Sequence, residues 1–270
     1  MKTVIRYSAI ACAMVLGGAC SQDSTGTQAT PLLDADVAMV VADNTGETVD
    51  VMREPVQFPV LSIGFSAGFG EFNPSTNCPY NSTTKRLECP PVSRDGGKLT
   101  ITRSYAFWDA SDVSQDHFDA LLTAKANIQA TETGERDLPN WSATVDRSRD
   151  MTATGLAGTE TERTWNGTGS SHITRSRHTD NGAERSYDLD CNSTVTDVVV
   201  PVPRGADRFP TSGSITHTCT VTFVGGPKDG QAITRTATVT FNGSESVSLT
   251  INGHTFDLDL KTRHRGERGG

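Results

Sequence analysis

Two stretches, ITHTCTVTF at residues 215–223 and ITRTATVTF at residues 233–241, alternate between two kinds of side chain. Their odd-numbered positions are mostly apolar, whereas every even-numbered position is threonine. A period of two is typical of a β-strand, in which successive side chains point to opposite faces. The two stretches therefore predict neighbouring strands that share one apolar face and one hydroxyl-rich face.

The same alternation extends through much of the chain. Residues 185–199, 246–251 and 255–260 show it clearly, and upstream strands are expected at 56–66, 98–108, 123–131, 142–154, 160–166 and 170–179. Asn-Gly dipeptides, which suit tight hairpins, occur at 166–167, 181–182, 242–243 and 252–253. We predict a mainly β fold over residues 54–262: an extended antiparallel meander sheet, arranged as a half-barrel, a barrel or a sandwich.

Helical spacing of apolar residues is confined to residues 32–53. Asn44 and Gly46 are expected to interrupt this segment, which predicts one or two short N-terminal helices. Asp34 and Asp36 are expected near the positive end of the helix dipole. Because an apolar sheet face cannot remain open to water, it must be covered by upstream strands, by this helical segment or by a bound apolar ligand.

Composition excludes several classes of protein. The chain has 270 residues and a formal net charge of -8, so it should repel the phosphates of nucleic acids. After the first twenty residues no apolar run approaches the ~18 residues that a membrane-spanning helix needs. The length suits one domain, or one domain with a small appendage.

The N-terminus has the three regions of a secretory signal. Lys2 and Arg6 precede a mostly apolar run at 7–16, and small residues then lead to Cys20. We predict a signal peptide over residues 1–19. Ordinary signal peptidase could also cut at this point and leave a soluble protein with a free Cys20.

The end of this signal, LGGAC at residues 16–20, resembles the bacterial lipobox, although glycine stands where the large apolar residue is usual. The resemblance implies that Cys20 is diacylated and becomes the new N-terminus. The polar residues that follow predict a flexible tether over 20–31, and Ser21 implies sorting to the outer membrane. The basic residues of 263–270 predict a disordered tail.

Four cysteines remain once Cys12 leaves with the signal and Cys20 takes the lipid. An exported chain meets an oxidising compartment, so disulfides are expected. Proximity favours Cys78–Cys89, and Cys191 and Cys219 lie on the apolar faces of strand-like runs and make a natural cross-strand pair. A zinc site would need C-x₂-C or H-x₃-H spacing, which these residues lack, so we expect no metal and no cofactor.

The upstream strands carry many charges, including Arg147, Arg149, Asp150 and Arg175. Opposite charges facing each other across solvated strands would help to set the register. A charged surface for an anionic partner is the functional alternative. We favour the solvated strands.

One catalytic motif needs to be considered. Gly64-Phe65-Ser66-Ala67-Gly68 matches the nucleophile elbow G-x-S-x-G, which requires a strand before it and a helix after it. The residues that follow show no helical pattern, so we interpret the glycines as a bend or bulge in a strand. No catalytic residue is assigned, and a serine esterase that uses Ser66 is the least favoured hypothesis.

The C-terminal stretch TATVTFNGSESVSLTINGHTFDLDL at 236–260, together with TETERTWNGTG at 159–169, resembles β-rich lipoproteins of Gram-negative bacteria. The likeness covers residues 98–262 and its motifs are structural. It implies an outer-membrane lipoprotein that faces the periplasm or the cell surface, and it supplies no established activity and no catalytic residue that could be carried over, so we expect no enzyme. We expect a binding or structural role, with the membrane as a partner through the lipid on Cys20 and an envelope protein or apolar ligand as a further partner. A periplasmic carrier of a lipid-like ligand is the alternative.

Overall fold

The computed structural model describes residues 25–53, 78–119, 121–138, 141–157, 161–178, 184–202, 209–261 and 265–267. These residues form one α-helix, α1 at Thr25–Arg53, thirteen strands and two short 3-10 turns. The strands are β1 Tyr80–Asn81, β2 Arg86–Arg94, β3 Leu99–Asp109, β4 Ser114–Gln115, β5 Thr123–Leu138, β6 Trp141–Thr154, β7 Glu162–His178, β8 Glu184–Pro201, β9 Ser212–Val224, β10 Ala232–Thr240, β11 Ser246–Ile251, β12 His254–Asp259 and β13 Arg265–Glu267.

All thirteen strands belong to one antiparallel sheet. Each strand pairs with its neighbours in chain order, except that β4 pairs only with β3 and lies off the main path. The predicted meander is confirmed. Among the described strands the sheet is open, since no pairing joins the β1–β2 edge to the β12–β13 edge. It is one continuous sheet rather than the two packed sheets of a sandwich.

The alternation that predicts the strands also decides which face is buried. In β9 the side chains of Ile215, Cys219 and Val221 are fully buried, whereas the threonines between them lie on the outer face. β11 and β12 are joined by the two-residue turn Asn252-Gly253, whose φ angles of 49° and 85° are both positive. This turn confirms one of the predicted Asn-Gly hairpins.

A second Asn-Gly dipeptide lies inside a strand. The sequence predicts two strands, at 160–166 and 170–179, separated by a turn at Asn166-Gly167, but the structure has the single strand β7. The register of β7 with β8 shifts at this position. A Cβ on Gly167 would lie 2.3 Å from the backbone oxygen of Asp150 on β6. The glycine is therefore needed for the close approach of two strands, and the predicted turn is wrong.

The interior face of the sheet is covered by α1. Leu33, Val37, Val41 and Met52 are buried against the inward-facing residues of the strands. The helix is continuous through Asn44 and Gly46, so the predicted interruption there is wrong. Packing on several sides stabilises these residues in a helix despite their weak intrinsic propensity.

The ends of the chain differ in part from the sequence-based expectation. The helix begins at Thr25, within the segment 20–31 that the composition predicts to be a tether. β13 pairs with β12, so three residues of the predicted disordered tail at 263–270 lie in a strand. The signal segment with Cys20, the predicted strand at 56–66 and the motif around Ser66 lie outside the described residues. None of the described helices has the length and apolar character that a membrane crossing requires.

Candidate functional site

The interior face of the sheet carries a band of polar residues between apolar rows. We call this band, which crosses from β5 to β10, the polar belt. Its two adjacent rows are formed by cross-strand partners: Glu132, Arg147, Ser171, Cys191, Cys219 and Arg235 in one, and Ala130, Arg149, Gly169, Ser193, His217 and Ala237 in the other. An apolar row flanks the belt on each side. One row contains Val145, Ile173 and Leu189, and the other contains Met151, Val195 and Ile215.

Carboxylates of α1 meet the arginines of the belt. Arg235 Nε donates to Asp34 Oδ1 over 2.6 Å, and the Asp34 side chain is fully buried. Arg147 Nη2 donates to Asp43 Oδ2 over 2.5 Å, and its Nη1 lies 3.5 Å from Glu132 Oε2. Because an isolated buried charge is costly, these pairs fix the position of the helix against the sheet.

The favoured interpretation of the charged strands is wrong for Arg147, Arg149 and Arg175. Arg149 points to the interior face, where it donates to Thr48 of α1. Arg147 is 3% exposed and Arg175 is 6% exposed, so neither lies on a solvated face. Asp150, by contrast, is exposed on the outer face. The carboxylates that Arg147 faces belong to the same chain, Asp43 to α1 and Glu132 to β5, which the sequence-based interpretation did not consider.

Further hydrogen bonds between side chains continue the same interface. Tyr187 Oη donates to Asp36 Oδ2 over 3.1 Å, and Thr45 Oγ1 lies 3.0 Å from His217 Nε2. The predicted role of Asp34 and Asp36 at the start of the helix is wrong, because no acidic residue lies in the first turn of α1. Both face the sheet instead.

His217 is held in its neutral form. Burial, and secondarily the positive charge of Arg149, lower the pKa of His217 from 6.5 to about 4. Arg149 Nε donates to Thr48 Oγ1 over 3.2 Å, and Thr48 Oγ1 donates to the backbone oxygen of Asn44. The imidazole of His217 and the guanidinium of Arg149 therefore lie together under the same turns of α1 without electrostatic repulsion, because only the arginine is charged.

A small cleft lies between α1 and the belt. It has a volume of about 10 Å³, and Asn44, Arg147 and His217 are among the residues that line it. Asn44 Nδ2 donates to Ser171 Oγ at 3.1 Å. A volume of this size is close to the minimum that one water molecule requires.

The hydroxyl–imidazole pair of Thr45 and His217 has the atoms of a nucleophile and a base. However, Thr45 is 0% exposed and His217 is 1% exposed, so neither reaches solvent where a substrate would arrive. The lowered pKa also makes the imidazole a weak base. The geometry is that of a contact that holds α1. Among the residues that the structure describes, no three His, Cys, Asp or Glu side chains are grouped as a metal site.

Both predicted cysteine pairs are at disulfide distance. Cys78 and Cys89 are bonded, with Cα atoms 4.1 Å apart. Cys191 and Cys219 are bonded across β8 and β9, with Cα atoms 4.0 Å apart. The second pair belongs to the polar belt and links two of the strands on which α1 packs.

The outer face carries a separate charged group. His172 Nδ1 lies 2.8 Å from Asp190 Oδ1, and His172 Nε2 lies 3.8 Å from Asp188 Oδ1. The hydrogen bond with Asp190 raises the pKa of His172, with further support from the charges of Asp190, Asp188 and Asp146. This group is exposed, and it has no connection to the helix.

Sequence reasoning did not identify Asp43, Asn44, Thr45 or Thr48 as interface residues. One signal was present: Arg235 and His217 occupy inward positions in strands that are otherwise apolar there, which indicates polar partners inside the fold. Comparison with models of protein families, with curated proteins and with solved structures finds no match to this chain. Its function is therefore inferred from its own residues.

Proposed function

We propose that the chain is a cell-envelope lipoprotein whose β domain has a non-enzymatic binding or structural role. In this proposal Cys20 carries the lipid, and the protein is attached to the outer membrane and faces the periplasm or the cell surface. Two disulfides suit an exported chain, because they persist in oxidising compartments.

The observation that carries the proposal is the way α1 is fastened. This helix is the first described element after the proposed lipid anchor, and it packs on the interior face of the sheet. Asp34, Asp36 and Asp43 bind side chains on three different strands, β10, β8 and β6. A force on the N-terminal anchor would therefore be transmitted to the whole sheet rather than to one strand.

The alternative role as a carrier of an apolar ligand requires an enclosed apolar pocket of several hundred Å³. Among the described residues, α1 covers the apolar interior face that such a ligand would use. The cleft between α1 and the belt is lined mostly by polar residues and has a volume of only about 10 Å³. These features support a structural or protein-binding role over carriage of a lipid.

Acylation is tested by intact mass spectrometry of the chain produced in a Gram-negative host. We expect a mature chain that starts at Cys20 and carries the added mass of its acyl chains. Cys20→Ser should abolish that mass and release the protein from the membrane fraction. Cys12→Ser is the matched control, since it changes a cysteine of the signal and should leave acylation intact. An unmodified thiol at Cys20 in the wild-type chain overturns the anchor.

The role of the β domain is tested by native mass spectrometry after gentle extraction. The proposal expects the chain alone or in complex with an envelope protein. A stoichiometric lipid that is released by denaturation, in addition to the covalent one, would favour the carrier and contradict the proposal.

A further inference from the structure

Three buried polar atoms at the cleft between α1 and the polar belt have no partner in the structure. They are Asn44 Oδ1 on the helix, Arg147 Nε on β6 and His217 Nδ1 on β9. Their residues are 6%, 3% and 1% exposed, respectively. Native proteins rarely leave such atoms unsatisfied, and three of them around one cleft indicate a shared ligand.

The chemistry of the three atoms defines that ligand. Arg147 Nε can only donate a hydrogen bond, Asn44 Oδ1 can only accept one, and His217 Nδ1 does either, depending on the tautomer. A ligand that satisfies all three must both donate and accept. The cleft volume of about 10 Å³ limits it to a few atoms at most.

We propose that this cleft binds one structural water molecule, which bridges α1 to β6 and β9. The water accepts a hydrogen bond from Arg147, donates one to Asn44 and completes the hydrogen bonding of His217. Internal waters typically make about three hydrogen bonds to buried polar groups of this kind. The water therefore belongs to the interface that holds the helix.

A small anion such as chloride fits the same cleft less well. Arg147 is already paired with the carboxylates of Asp43 and Glu132, so its charge is compensated. The amide nitrogen of Asn44 is bound to Ser171, which leaves the amide oxygen Oδ1 for the ligand, and this oxygen would repel an anion. A water molecule meets these constraints with either tautomer of His217, whereas an anion requires a proton on Nδ1.

The direct test is a crystal structure of the full chain at about 1.8 Å or better, determined once with sodium chloride and once with sodium bromide. We expect one well-ordered water within 3.2 Å of all three atoms in both crystals. A bromide anomalous peak at that position would show that the cleft binds an anion rather than water and would overturn the proposal. No density there, with the three side chains placed as described, would overturn the proposal as well.

A variant tests the site independently. Ser193→Val adds volume next to the cleft, since Ser193 lines it, and should remove the water density. Ser142→Val makes the same change at an exposed position of β6 and should leave the density unchanged. If Ser193→Val does not fold, the exchange of bound water in the wild-type chain tests the proposal instead. ¹⁷O relaxation dispersion should show a long-lived water that Ser142→Val retains, and its absence from the folded wild type contradicts the proposal.

Discussion

Replacement of Arg147 by methionine should loosen the helix from the sheet more than any single change at the surface. The Arg147 side chain is 3% exposed and its partner Glu132 is 5% exposed, so Arg147→Met removes an ion-pair partner from a carboxylate that is itself buried. Removal of one member of a buried pair costs about 3–5 kcal/mol. At roughly 2–4 °C per kcal/mol for a domain of this size, Tm should fall by about 6–20 °C.

The assay is chemical and thermal unfolding of the full chain, followed by circular dichroism. Glu132→Met with Arg147→Met provides the matched double variant. Because the buried charge of Glu132 is then removed together with that of Arg147, the double variant should be more stable than Arg147→Met alone. Lys125→Met is the surface control. Lys125 pairs with Asp112, which is 75% exposed, and the loss should stay below about 1 kcal/mol.

Two results would refute this reasoning. If Arg147→Met costs no more than the Lys125 control, the buried ion pairs do not hold α1. If the double variant is less stable than Arg147→Met, the cost arises from lost packing of the arginine stem rather than from the lost ion pair with Glu132.

Three further outcomes follow from the same structure. The pKa of His217 is lowered from 6.5 to about 4 in the folded protein. Between these two pH values the unfolded state binds more protons than the folded state, so the free energy of unfolding decreases as the pH falls, by about 3 kcal/mol in all. His217→Gln should remove this part of the acid sensitivity, and parallel pH–stability curves would contradict it. Asp190→Asn should lower the raised pKa of His172 in an NMR titration, because the negative charge that favours the protonated imidazole is removed and only a neutral acceptor remains; an unchanged pKa would show that the pair does not form. Gly134→Ala should cost at least about 2 kcal/mol, since its Cβ would lie 2.0 Å from a backbone oxygen at a φ of +142°. Gly230→Ala, which has a positive φ but no atom within 4 Å, should cost less, and equal losses in unfolding experiments would contradict the steric argument.

The strands were predictable because their signal is local. In β9 and β10 each threonine alternates with an inward side chain, and a period of two has one structural interpretation. The turn at Asn252-Gly253 was predictable for the same reason. The dipeptide at Asn166-Gly167 was not, since the same two residues also fit a strand where another backbone approaches closely. That approach depends on β6, which is distant in sequence.

The candidate site was not predictable from local pattern. Arg147 looks like a solvated strand residue unless Asp43 of α1 is known to face it. The helical segment looks interrupted at Asn44 because intrinsic propensity ignores the sheet around it. Both features arise from one tertiary contact between segments about 100 residues apart, such as the pair of Asp43 with Arg147. Arginines at inward positions of strands, together with acidic residues in a helical segment, would indicate that the helix packs on that face of the sheet.

Hydrogen exchange of the full chain, measured by mass spectrometry, tests most directly whether the acidic side chains of α1 hold this helix on the interior face of the sheet. The amides of residues 33–52 should be protected to a degree similar to those of residues 215–223 in β9, because both would open only when the domain unfolds. Exchange of residues 33–52 within seconds, while β9 remains protected, would show that α1 is not fastened to the sheet and would contradict the account.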